Sequence, residues 1–316
     1  MTGREAYKKL LWSDAPLFHQ PFWLDAVAKD QWNAAVIEEN GTMNAYYLYA
    51  FRKSVLGTHC YMPELTQFLG PAYRTEGLNN RERLNHETKI LEKLCSMLPP
   101  AGDFSSKWQT GYYNWLPFYW AGYKQRVRYT YVIEDISKPE IIMADFSEKI
   151  VREIRKAEKL FVVSETTDVQ RFYQLIMSGL KRKNIDVKLN FEILKRAFLG
   201  CNENDCGKIW IATDDRQLWA AAIFVTWDKQ TAYYITGAKD DTFGNSGAMS
   251  LLFSHAFHEL KDKVRSFDFE GSMIKGVENY FRSFGASQQM FFEIGALRTS
   301  LLKFKNIISN FKTRDK

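Results

Sequence analysis

The stretch FDFEGS at residues 267–272, followed at 276–286 by GVENYFRSFGA, decides how this chain is read. Alternation along a strand puts Phe267 and Phe269 on one face and Asp268 and Glu270 on the other. The two rings mark a buried face. Two carboxylates at a strand end, just before Gly271, place a general base in a cleft, and their mutual repulsion raises at least one pKa. A solvent-facing edge with paired surface acids is the plainer alternative. In the second segment, helical spacing gathers Val277, Tyr280, Phe281 and Phe284 on one broad face, which reads as core. Arg282 falls on the rim of that face. There it could clamp a phosphate or carboxylate, or simply be solvated.

Upstream lies a β-meander at 208–213, 217–227 and 231–237, turned by Asp214-Asp215 and Asp228-Lys229. Its last strand ends near Gly237. A polar turn then leads straight into a helix at 246–262. The small residues Gly244, Asn245, Ser246, Gly247 and Ala248 leave backbone N–H groups accessible at that helix start, which favours a bound phosphate or carboxylate. An ordinary cap with Asn or Ser at the N-cap is the competing reading. A helix at 145–160 carries Arg152, Arg155, Lys156 and Lys159 on one face, either a polyanion-binding stripe or a solvated face. Strands are expected at 161–167, 265–270 and 288–294, and helices at 168–182, 190–200, 274–284 and 297–312.

The first half opens with strands at 32–39 and 43–52, joined by Asn40-Gly41, a strong hairpin signal. A third strand follows at 55–62, then a loop over 64–74 punctuated by Gly70-Pro71. A helix is expected at 81–98. Residues 104–135 read as strand-like and rich in aromatics. Pro139 lies in a short connection taken as the domain boundary.

Composition bounds the rest. The 316 residues carry a net charge of +6, with 46% hydrophobic and 25% charged residues, which excludes a disordered, collagen-like or coiled-coil chain. Aromatic residues reach 15%, enough to line a groove or fill a core. No run of about 18 apolar residues suggests a membrane span, and the first residues carry no leader pattern. Cys60, Cys95, Cys201 and Cys206 form no CxxC pair, so zinc is not expected and reduced thiols in a cytoplasmic protein are. His255, His258 and Glu259 are not in HExxH order, so no metal is assigned. Motifs of serine hydrolases, dinucleotide-binding proteins and P-loop enzymes are not found.

FDFEGS and GVENYFRSFGA, the IRKAEK helix (154–159) and the meander running into NSGAMSLL together resemble the GNAT acyltransferase superfamily. The chain looks like its FemAB/FemX branch, found in bacteria. LTQFLGP (65–71) and NWLPFYWAGYKQRVRYTYVIED (114–135) extend the resemblance to the first half. It implies an α+β fold of two GNAT-like domains, each a mixed, mainly antiparallel sheet flanked by helices. Their limits are set at 1–138 and 139–301, with 302–316 packing back on the first. The resemblance implies an N-acyltransferase that moves an acyl or aminoacyl group from acyl-CoA, an acyl carrier or aminoacyl-tRNA to an amine, including one on a cell-wall precursor.

In that arrangement Glu270 or Asp268 serves as base or amine anchor. Arg282, or a backbone N–H near Gly237, holds the oxyanion. Gly237 and Gly244–Ala248 bind the donor, and Gln67, Trp120, Tyr131, Arg155, Lys156 and Phe281 bind substrate. The run from Trp115 to Tyr131 forms a groove wall bordering the interdomain region. No tightly bound cofactor is expected, and acyl-CoA or aminoacyl-tRNA enters as co-substrate. The partners are a small molecule or envelope precursor, with tRNA as a further partner. A ligand-binding protein that kept the fold without the chemistry is the alternative. An RNA-binding module built on the basic helices is a third.

Overall fold

The computed structural model describes residues 2–55, 57–182, 189–271 and 273–297. The chain forms two compact units. One comprises the residues up to Arg128 and those from Met290 on, and the other is Tyr129–Gln289.

The first unit begins with helices α1 (Gly3–Leu10) and α2 (Pro21–Ala28). Strands β1 (Trp32–Glu39), β2 (Thr42–Ser54), β3 (Gly57–Tyr61) and β4 (Gly70–Tyr73) follow. Helix α3 (Asn80–Met97), β5 (Ala101–Lys107) and α4 (Leu116–Trp120) come next, and β6 (Lys124–Ile133) follows, its residues from Tyr129 on belonging to the second unit. Asn40 and Gly41 have φ of 53° and 77°, the two left-handed residues that a tight twisted hairpin requires. β2 pairs antiparallel with β1 and β3, and β3 pairs parallel with β5. β5 also pairs antiparallel, over Asp103–Lys107, with the last described strand, Ser287–Leu297.

Two expectations need correction here. The loop at 64–74 contains β4, whose Gly70 faces Leu48 of β2. Pro71 is tolerated because β4 pairs with β2 alone, so the missing N–H interrupts no second ladder. Gly70 has φ of 99°, and a Cβ there would lie 2.6 Å from the Trp108 ring. The aromatic run 104–135 is not continuous strand. It breaks into β5, the short α4 with Pro117 in its first turn, and β6.

Much of the aromatic excess of this unit is core. Trp108 and Phe118 are buried. The Trp108 indole N–H donates to the Tyr47 hydroxyl at 3.0 Å, and Tyr47 stacks on Phe118 at 5.6 Å. Cys60 is buried as well, and burial pushes its thiol pKa up to about 12. We expect Cys60 to resist alkylation at pH 8 in the native protein and to react on unfolding; mass spectrometry of iodoacetamide-treated samples checks this.

The second unit continues with α5 (Pro139–Ile142), α6 (Glu148–Ala157), β7 (Val162–Thr166), α7 (Val169–Arg182) and α8 (Phe191–Glu203). The meander follows as β8 (Gly207–Thr213), β9 (Trp219–Trp227) and β10 (Thr231–Lys239). A 3₁₀ turn (Asp241–Phe243), α9 (Ala248–Leu260), β11 (Ser266–Asp268), α10 (Lys275–Arg282) and the first residues of β12, the strand Ser287–Leu297, complete it, β12 from Met290 on belonging to the first unit. β7, β8, β9 and β10 pair antiparallel in that order, and β10 pairs parallel with β11. Phe253 and Phe257 of α9 pack on Phe267, Phe269 and Phe284, the buried face that alternation predicts. The mixed α+β architecture is as expected. The strand expected at 288–294 runs on to Leu297, so the helix expected from 297 does not begin there. The rest of that helix, the tail 302–316 and Ser272 lie outside the described residues.

Candidate functional site

The site in the second unit grows from a divergence of two parallel strands. β10 and β11 pair through Thr231–Ser266, Ala232–Phe267 and Tyr233–Asp268. β11 ends there, while β10 runs on to Lys239. The β10–β9 register shifts between Tyr234 and Thr236, and such a bulge bends a strand. Just beyond, Gly237 is hemmed in, since a Cβ would lie 2.6 Å from the Ala222 carbonyl oxygen.

The chain after β11 is held by Asp268. Its carboxylate accepts from the Thr130 hydroxyl and, at 2.7 Å, from the Glu270 backbone N–H. Asp268 is buried, so its role is to fix the turn. Glu270 sits at φ of 58° and Gly271 at 52°. A left-handed non-glycine residue costs of order 1 kcal/mol, which Asp268 offsets. A Cβ at Gly271 would lie 2.1 Å from the Tyr129 carbonyl oxygen. Glu270 is half-buried. Burial and the Glu270 charge together push the Tyr234 phenol above its usual range.

Beside this turn a polar chain links three elements. The Gln288 amide donates to the Tyr131 hydroxyl at 2.6 Å, and that hydroxyl donates to Glu278 at 2.9 Å. Arg282 donates to Glu278 at 2.9 Å and to the Asn279 side chain at 3.1 Å. The hydrogen bond from Tyr131 and the Arg282 guanidinium hold the Glu278 carboxyl below its usual range. The Arg282 side chain is 62% exposed and sits on the rim of α10. Tyr131 is buried, its ring in the core and only its hydroxyl in the network, so it is not a groove wall. Phe281 is buried and stacked on Phe269 at 4.9 Å, which makes it core rather than a substrate contact.

At the start of α9 neither Asn245 nor Ser246 is the N-cap. That position belongs to Gly247, at φ of 82° and with no side-chain cap bond. α6 approaches closely here. A Cβ on Gly247 would lie 2.2 Å from the Glu153 carbonyl oxygen. Ser250 donates to the Glu153 carboxylate at 2.7 Å and lies 2.9 Å from the Tyr280 hydroxyl. An anion at a helix N-terminus is favourable, and Glu153 supplies one. Lys156 donates to the Asn245 carbonyl at 3.0 Å. Around it, Arg152, Arg155, Lys156, Lys159 and Leu160 line a cavity of about 400 Å³. The basic helix and the small-residue turn, read separately in the sequence, are thus one place. Glu153, Ser250, Tyr280 and Glu278 were missed, because each gains its role from a partner distant in sequence.

Gln67 and Trp120 belong to the first unit. Gln67 is buried, whereas Trp120 is 60% exposed beside the exposed Tyr119 and Leu116 on α4. Among the described residues, no group of three or more His, Cys, Asp or Glu side chains could hold a metal ion. No helix there is long and apolar enough to cross a membrane.

Residues 144–282 match the model of the acetyltransferase (GNAT) domain. No curated protein shows significant sequence similarity to the chain. Among solved structures, the crystal structure of FemX is similar at a TM-score of 0.67 and 12% identity, covering 92% of this chain and 96% of FemX. The C-terminal domain assigned to a lysylphosphatidylglycerol synthetase of Agrobacterium fabrum is similar at 0.54 and 11% identity, covering 96% of this chain and 94% of that one. L-PGS from Bacillus licheniformis gives 0.52 and 11%, with 93% and 97% covered. At such identities the likeness concerns fold alone. Residues 144–282 accordingly match the acetyltransferase (GNAT) domain, and the chain as a whole has a fold similar to that of FemX.

Proposed function

We propose that this chain is an N-acyltransferase acting in the cytoplasm. It moves an acyl or aminoacyl group from a phosphate-bearing carrier, acyl-CoA or aminoacyl-tRNA, to an amine on a small molecule or cell-envelope precursor. The observation that carries this reading is the parting of β10 from β11 beyond Tyr233–Asp268, with Glu270 at its rim. The amine nitrogen attacks the acyl carbonyl carbon, the bond to the carrier breaks, and the amine's proton passes to Glu270 directly or through water. Backbone N–H groups near Gly237 and the Arg282 guanidinium stabilise the oxyanion. The carrier's phosphates lie against Arg155 and Lys156 beside the turn Gly244–Ala248. Glu153 weighs against phosphate seated on the α9 N-terminus itself, since two anions there repel.

A survey of acyl-CoAs and charged tRNAs against simple amines, read as amide formation, tests the proposal. Glu270→Gln should lower kcat by roughly 10²-fold or more with donor KM unchanged. Arg155→Gln with Lys156→Gln should raise donor KM about 10-fold and leave kcat intact. Wild-type turnover in Glu270→Gln and in Arg282→Ala would overturn the assignment. Failure of every donor to react or to stabilise the protein would favour a ligand-binding protein with the same fold.

A further inference from the structure

Tyrosines gather where β10 and β11 part, and most have a partner for the hydroxyl. Tyr131 donates to Glu278, Tyr233 donates to Asp228 at 2.9 Å, and the Tyr280 oxygen lies 2.9 Å from the Ser250 hydroxyl. Tyr234 differs. Its hydroxyl makes no hydrogen bond to any described residue, although a half-buried tyrosine normally finds one.

The surroundings fix where that hydroxyl lies. The ring packs edge-on against Phe253 of α9, with centroids 5.0 Å apart, and against Phe281 of α10 at 6.1 Å. Tyr234 stands at the bulge of β10. A Cβ on Gly237 would lie 3.0 Å from the Tyr234 hydroxyl oxygen, so the hydroxyl sits directly beside the backbone of Gly237. Burial and the nearby Glu270 charge both disfavour the phenolate. At neutral pH the group is therefore a hydrogen-bond donor and not a base.

We propose that the Tyr234 hydroxyl is a catalytic donor, which hydrogen-bonds to the acyl carbonyl oxygen as that atom becomes an oxyanion beside Gly237. The proposal rests on the acyl-transfer reading and adds a side-chain donor to the backbone N–H groups there. As the amine nitrogen adds to the carbonyl carbon, the π pair moves onto oxygen, and the phenol keeps its own proton. Collapse restores the carbonyl and breaks the bond to the carrier, which leaves with the proton that Glu270 took from the amine. The two phenylalanine rings hold the donor in place before the charge develops, so little reorganisation is needed at that moment.

Tyr234→Phe keeps the ring and both edge contacts and removes only the hydroxyl. With a donor and an amine that the wild type turns over, it should lower kcat about 10²-fold and leave both KM values unchanged. The shape of its kcat–pH profile should match the wild type, because the phenol stays protonated throughout. Its thermal unfolding midpoint should equal or exceed that of the wild type, because the hydroxyl bonds nothing in the fold. Unchanged kcat, a rise in KM alone, a shifted pH profile or a lower unfolding midpoint would overturn the role of Tyr234 and leave acyl transfer standing. Amide formation by the wild type with no donor would overturn both.

Discussion

Gly247→Ala is expected to lower the midpoint of thermal unfolding by roughly 5–12 °C, whereas Gly276→Ala leaves it unchanged or slightly raises it. Gly247 has φ of 82°, which an L side chain adopts at a cost of about 1 kcal/mol. Its added methyl would lie 2.2 Å from the Glu153 carbonyl oxygen and 2.7 Å from the carbonyl carbon. Both atoms belong to helix backbone, so relief requires α6 or α9 to shift. Overpacking of that kind costs about 1–3 kcal/mol, for a total of about 2–4 kcal/mol. Gly276 lies within α10, and nothing lies within 4 Å of its added methyl. Replacing it reduces the freedom of the unfolded chain and stabilises by up to about 1 kcal/mol. Because Lys156 of α6 reaches the Asn245 carbonyl across the same contact, Gly247→Ala should also raise donor KM. Equal unfolding midpoints for the two variants would show that the approach of α6 to α9 is not tight.

The second large effect concerns acid. His19 is fully buried, with Nδ1 3.0 Å from the Tyr46 hydroxyl. Burial disfavours the imidazolium and lowers its pKa to about 3. In the unfolded chain the group titrates near 6.5. Between those values the unfolded chain binds a proton that the folded chain refuses. The stability His19 confers is therefore complete above about pH 6.5 and is lost as pH falls toward 3. At about 1.4 kcal/mol per pH unit, roughly 2–3 kcal/mol should go between pH 7 and 4.5. Urea unfolding at several pH values checks this, using a probe in the first unit. His19→Gln, whatever its stability at pH 7, should show a slope flatter by that amount. Parallel slopes for wild type and variant would assign the acid sensitivity elsewhere.

The elements that could be read in the sequence are those governed by local rules. Asn40-Gly41 permits the left-handed turn of a tight hairpin, and the meander turns on Asp214-Asp215 and Asp228-Lys229 at the expected places. Alternation at Phe267 and Phe269 correctly gives the buried face of β11. The misreadings occur where local chemistry conflicts with longer-range pairing. Gly70-Pro71 has the composition of a turn, yet β2 recruits it as a strand. The aromatic run before β6 has strand-forming residues, yet Pro117 starts a helix turn within it.

The chemistry divides along the same line. FDFEGS and GVENYFRSFGA, with the IRKAEK helix and the meander into NSGAMSLL, carried the resemblance that implied the fold class, while strand alternation and helical spacing, which act over a few residues, marked Glu270 and Arg282. Only the tertiary structure decided what each polar group is free to do. Thr130 lies 138 residues from Asp268 and engages its carboxylate, so Asp268 holds the turn that carries Glu270. Lys156 lies 89 residues from Asn245 and joins the basic helix to the small-residue turn. Arg171 lies over Trp219, on a distant strand, at 4.3 Å. A carboxylate or guanidinium looks the same in any sequence window. Its availability depends on which partners chain closure brings within hydrogen-bonding distance, and local periodicity carries no record of those partners.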